Sequence, residues 1–300
     1  MSTALQAAFG SWSLPVPVTL ALSLLTLIYS AGWIRLRRVL PKAIGIWQLV
    51  AFIGGITSVW LAIGSPLAAL DDDLLTVHMV QHVLLMLVAP PLILLGSPAI
   101  PLMHGFSKRT VRDLLGPILR QPLLQQLGRT VTHPLFCWLA AAIALLGWHC
   151  PAVFELALKS DAWHEVEHAC FLVSGLLFWW PVVQPWPSVA RWPRGCIPLY
   201  LFMATLPCDA LSAFLAFCDR VIYPSYLSLP RALGISPMSD QQCAGALMWV
   251  CSTFIYLVPA VAITAEILSP PRGRNQEQSL SAASVILTKK PATSNAEVPL

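Results

Sequence analysis

Leu74–Leu95 reads LLTVHMVQHVLLMLVAPPLILL. It holds no Lys, Arg, Asp or Glu, yet it carries two histidines, His78 and His82. A helix needs about 20 consecutive apolar residues to cross a bilayer, so this stretch reads as a membrane span. Residues i and i+4 share one helix face, which puts both imidazoles on one side of it. Ionisable groups at membrane depth are costly and by default mark function. Pro90 and Pro91 sit in the same run, where missing backbone donors predict a kink.

Outward from this stretch the pattern repeats. The chain is 57% hydrophobic and 11% charged over 300 residues, outside the range of a soluble domain. Spans are expected at about 15–34, 44–64, 74–97, 134–150, 165–185, 196–216 and 243–267. The expected fold is an all-α integral membrane bundle of seven transmembrane helices. The first 14 residues carry no Lys or Arg, so the first run reads as a retained span rather than a signal peptide. The segment Ser107–Thr130 reads as either a surface amphipathic helix or a basic loop. The membrane domain covers 1–269, and 270–300 reads as a disordered cytoplasmic tail.

Charge orients the spans. With the N-terminus outside and the C-terminus inside, Arg35, Arg37, Arg38, Lys42, Lys108, Arg109, Arg112, Arg120, Arg129, Arg191, Arg194, Arg272, Arg274, Lys289 and Lys290 all fall inside. These are fifteen of the 18 basic residues; only Lys159, Arg220 and Arg231 lie outside. That asymmetry is the positive-inside pattern. A net charge of +4, spread over loops, gives no clustered basic face for nucleic acid.

In this topology His78, His82, His149, His164 and His168 all lie toward the outer side, on three spans. Imidazole ligates copper, zinc, iron and haem. Nearby Met79, Met86 and Cys150 favour copper(I) among them, with Met86 read as either a ligand or a packing residue. Asp209, alone in an apolar run, reads as either a carboxylate that fixes a histidine tautomer or a helix-bend residue. Asp71–Asp73 are expected to cap the third span in a solvated loop. Trp179, Trp180, Trp186 and Trp192 suit an aromatic belt. The eight cysteines form no CxxC; whether Cys208, Cys218 and Cys243 pair is open.

Several segments resemble the polytopic CtaG family of cytochrome c oxidase assembly factors. They are His78-Met-Val-Gln-His82 running into Ala89-Pro-Pro-Leu and Leu95-Gly-Ser-Pro98; Trp148-His-Cys-Pro151 with Phe154-Glu-Leu-Ala157; His164-Glu-Val-Glu-His168 followed by Phe178-Trp-Trp-Pro181; and Asp240-Gln-Gln with Ala244-Gly-Ala-Leu-Met-Trp249. The resemblance covers about residues 45 to 267. It is not to the single-span copper-delivering protein that shares the name. The resemblance implies a multi-pass protein of the bacterial inner membrane that matures a haem–copper oxidase by supporting its copper site. The site would face the periplasm or exterior, with oxidase subunits and the lipid bilayer as partners.

Three readings follow for the histidines. A non-enzymatic assembly factor would hold copper between the third, fourth and fifth spans. An intramembrane zinc metalloprotease would use His164-Glu-Val-Glu-His168 as HExxH, with Glu165 as general base and His149 or Asp209 as third ligand. A haem-binding protein would pair histidines from facing helices.

Overall fold

The computed structural model describes residue 10 and residues 12–269, apart from 43, 72, 186–191 and 229–233. The tail at 270–300 and Trp186 lie outside the described residues. Among these residues the regular structure is helical, with no strand. The main helices are α1 (Val16–Val39), α2 (Ile46–Ile63), α3 (Leu75–Leu95), α4 (Ala99–Gly105), α5 (Pro122–Val131), α6 (Pro134–Trp148), α7 (Pro151–Leu158), α8 (Asp161–Val183), α9 (Ile197–Phe217) and α10 (Pro237–Leu268).

Six of these, α1, α2, α3, α8, α9 and α10, are long and apolar enough to cross a membrane. The seventh expected span is α6, which has only 15 residues. That is about 22 Å of rise, short of a hydrocarbon core of about 30 Å. It reaches full length only together with α5, from which it is bent by 65°. The prolines explain both ends. Pro134 starts α6 and Pro151 starts α7, each at a first-turn position where a missing N–H costs nothing.

The bundle is apolar on the outside. Leu20, Leu24 and Leu27 of α1 and Phe254, Leu257, Val258 and Val261 of α10 are exposed. Exposed apolar surface on this scale means lipid contact. In α5, Leu123, Leu124, Leu127 and Val131 share one face, while Gln125, Gln126 and Arg129 take the other. The amphipathic-helix reading of Ser107–Thr130 thus holds for its second half, and short helical turns fill Lys108–Leu119.

At the centre is α3, which packs against α2, α8 and α10. Its prolines produce no sharp bend. One turn, Leu84–Val88, instead widens to π geometry just ahead of Pro90 and Pro91. The wider turn makes room for a proline ring that would clash with the carbonyl four residues back. α8 approaches closely at Gly175, where an added Cβ would lie 2.6 Å from the Met86 carbonyl oxygen.

One end of the bundle is tied by buried polar groups. The N-terminus of α3 has no side-chain cap of its own. Asp240 of α10 supplies it: its carboxylate accepts from the Leu75 N–H at 2.7 Å and the Thr76 N–H at 3.1 Å. Gln241 next to it accepts from the Ile222 N–H and donates to the Leu215 and Arg220 carbonyls. The Tyr223 hydroxyl donates to the His149 carbonyl, and the Tyr226 hydroxyl to that of Asp71. The 218–228 loop therefore holds the ends of α3, α6 and α10 together.

Two expectations change here. Asp71 is not in a solvated capping loop; it is 3% exposed, and the capping falls to Asp240. Trp179 leaves the aromatic belt, buried against Phe178 and Tyr256. All eight cysteines are free thiols.

The cap and the close approach are both testable. Asp240→Ala removes charged hydrogen bonds worth about 2 kcal/mol or more and should lower the thermal midpoint in detergent, with Asp240→Asn losing less. Gly175→Val should force α8 off α3 and abolish a monodisperse peak in size-exclusion chromatography.

Candidate metal centre

The helical period brings the candidate side chains together. Leu75, His78, Met79 and His82 are buried on α3 at spacings of three and four. On α8 the matching face carries His164, Glu167, His168, Phe171 and Gly175. The two faces meet, and the C-terminal end of α6 brings His149 against them.

Glu167 lies at the middle, with 0% exposure. Its carboxylate oxygens are 3.6 Å from His78 Nε2 and 3.4 Å from His82 Nε2. A ligand atom from each of these three residues lies within 4.8 Å of the other two. Asp71, His164 and His168 form a second such group, with His164 Nε2 3.8 Å from Asp71 Oδ2. Gln81 Nε2 holds that carboxylate from α3, donating to it at 2.7 Å. The two groups adjoin, since the His78 and His164 rings stack with centroids 5.1 Å apart.

The hydrogen-bond account of this cluster does not close. Among the described residues, fourteen buried side-chain nitrogen and oxygen atoms lack a hydrogen-bond partner. Eight of them belong to His78, His82, His164, Glu167 and His168. Leaving such a group unmet costs about 1–3 kcal/mol, and more if it is charged. Phe154 and Phe171 close the cluster against solvent, with ring centroids 5.0 Å from His78 and 4.1 Å from His82.

His149 sits to one side. Its Nδ1 is 2.7 Å from the Leu145 carbonyl and its Nε2 is 3.3 Å from Met79 Sδ. Met86 lines a cavity of about 20 Å³ together with His82 and His149. Asp209 stands apart on α9, beside Thr205, Cys208 and Tyr256. None of its contacts is with a histidine. The carboxylates facing the histidines are instead Glu167 and Asp71.

Both of those acids escaped the sequence reading, which named Glu165. On α8 Glu165 is exposed. A face drawn through His164, Phe171, Gly175 and Phe178 puts Glu167 on it and Glu165 about 120° away. That buried face was the signal available in the sequence. A general base at Glu165 is therefore not on the histidine side.

Comparison with known proteins assigns the family. The family model described as cytochrome c oxidase caa3 assembly factor matches residues 27–269. An uncharacterized protein of Mycobacterium leprae is 23% identical over 79% of this chain, and uncharacterized proteins of Mycobacterium bovis and Mycobacterium tuberculosis are each 25% identical over 79% of it. The matched region covers only 36% of the length of each of these curated relatives. No solved structure matches the chain. The helical bundle and the match over nearly all the described residues lead to one assignment: the chain belongs to the cytochrome c oxidase caa3 assembly factor family.

Proposed function

We propose that this chain binds copper at the buried carboxylate–histidine cluster and supports metallation of a haem–copper oxidase. The observation that carries the reading is the set of unpartnered donors around Glu167. Imidazole nitrogens and carboxylate oxygens are metal ligands that gain from a cation what they lack in hydrogen bonds. His78, His82 and Glu167 would hold the ion. His164, His168 and Asp71 would form an adjoining set, and Gln81 would fix the Asp71 orientation. Bound copper would supply the ion that the oxidase site needs; the chain's own part is to hold and shield it within the bilayer.

Zinc suits the same donors, but a peptidase use of it lacks a base, since Glu165 faces away. Haem is disfavoured by space. Phenylalanines pack the cluster, and the cavity beside it, at about 20 Å³, is water-sized.

The protein is then a multi-pass protein of the bacterial inner membrane with its N-terminus outside and its C-terminus inside. The positive-inside charge pattern supports this orientation, in which the cluster would lie toward the periplasm. Delivery to an oxidase subunit at matching depth follows from a site near one end of the bundle.

Metal content of the detergent-purified chain after copper loading tests the site. Glu167→Gln and His82→Ala should each cut copper affinity by tenfold or more, while Glu165→Gln leaves it unchanged. Copper content indifferent to both Glu167→Gln and His82→Ala would refute the site. Orientation has its own check: a C-terminal green fluorescent protein fusion should fluoresce, and a C-terminal alkaline phosphatase fusion should be inactive. The opposite pair of results would reverse the topology.

A further inference from the structure

The donors around His149 differ from those around Glu167. Its Nδ1 lies 2.7 Å from the Leu145 carbonyl oxygen, which can only accept. Nδ1 must therefore carry the proton, and in the neutral ring Nε2 carries a lone pair. That lone pair faces Met79 Sδ at 3.3 Å. A thioether has no proton to give, so two electron pairs meet with nothing between them. Met79 is 0% exposed and His149 4% exposed, so bulk water does not intervene. Tyr223 fixes the backbone at this point by donating to the His149 carbonyl.

The softness of the neighbouring donors points the same way. The cavity lined by His82, His149 and Met86 is also lined by Cys208 and Met248. Met79 is not among the residues that line it, so the cavity adjoins the nitrogen–sulfur contact through the His149 ring and adds soft donors beside it. Neither group of acids and histidines includes a cysteine. Here every sulfur is an uncharged thioether or a thiol, a donor class that selects monovalent copper over harder ions. An ion about 2.0 Å from nitrogen and about 2.3 Å from sulfur would subtend about 100° across the observed gap, close to tetrahedral.

We propose a second metal position, separate from the carboxylate site, in which His149 Nε2 and Met79 Sδ bind monovalent copper at the edge of this cavity. It rests on the reading that the chain binds copper, and it divides the five histidines by chemistry. His78, His82 and Glu167 form a nitrogen–oxygen site; His149 and Met79 form a nitrogen–sulfur site. His82 borders both, with Nε2 toward Glu167 and its ring lining the cavity. An ion can thus change donors between them without leaving the protein and without changing oxidation state.

The test is X-ray absorption at the copper edge on the full-length purified chain, loaded with copper(I) under reductant, with affinity set against a chromophoric copper(I) chelator. The wild type should show a sulfur scatterer at about 2.3 Å. Met79→Leu, which conserves volume, should remove that scatterer and weaken copper(I) binding about tenfold or more, whereas Glu167→Gln should keep it. Selenomethionine-labelled protein gives the same answer with the fold undisturbed, as a copper–selenium distance that Met86→Leu does not abolish. Copper bound through nitrogen and oxygen alone, or a sulfur shell that survives Met79→Leu, overturns the second position and leaves the carboxylate site standing. Failure to bind any copper removes both.

Discussion

The carboxylate of Glu167 is enclosed within a membrane bundle, with the imidazoles of His78 and His82 3.6 and 3.4 Å away. Burying a carboxyl group whose oxygens lack hydrogen bonds costs about 1–3 kcal/mol, and more if it is ionised. The surrounding structure is arranged around that burden. His78 and His82 approach from α3 on one helix face, and His164 and His168 flank it on α8. Close approach of α8 to α3 depends on Gly175, where any side chain would strike the Met86 carbonyl. The widened turn at Leu84–Val88 lets α3 carry its proline pair without bending away from this contact. Shift α8 by one residue and the carboxylate would rotate about 100° out of the cluster; the same shift of α3 would carry His78 and His82 away from it.

A bilayer gives helices no hydrophobic reason to associate, so packing and internal polar bonds must do so. Much of this protein's polar inventory serves that end. Asp240 caps a helix other than its own, Gln241 binds three backbone groups, and Tyr223 and Tyr226 join a loop to two helix ends. Glu155 of α7 accepts from both the N–H and the hydroxyl of Ser225, holding the same loop from the other side. These groups have found partners, and their role is structural. The cluster of histidines and Glu167 lies beside them at the same end yet lacks such partners.

Hydropathy made the long spans legible, because a run of about 20 apolar residues admits few other structures. It also bounds the fourth span at about 134–150, close to the observed α6, but it does not show the 65° bend that joins α6 to α5. The clustering of histidines was legible from charge asymmetry and i,i+4 spacing. The identity of the acids was not. Reading HEVEH as a motif favoured Glu165, whereas following the apolar face down α8 favours Glu167. The neighbours Asp72 and Asp73 suggest a loop for Asp71, whereas contacts with Gln81, Tyr226 and His164, distant in sequence, draw it inward. Trp179 was placed by depth alone, but its azimuth turns it toward Tyr256.

The difference between the two kinds of polar residue also separates the donors from one another. Leu145, four residues before His149, fixes one ring nitrogen of that histidine and thereby commits the other to face sulfur. No comparable backbone contact fixes His78 or His82, whose ring nitrogens are all without hydrogen bonds. One histidine is therefore held in a single tautomer by the fold, while two beside it are free to choose theirs by what they bind. A rigid nitrogen–sulfur pair adjoining an adaptable nitrogen–oxygen set favours a graded series of donors over one symmetric cage. On the proposed copper-handling role, such grading would serve both uptake and release of the ion, because no single position would need to hold it tightly.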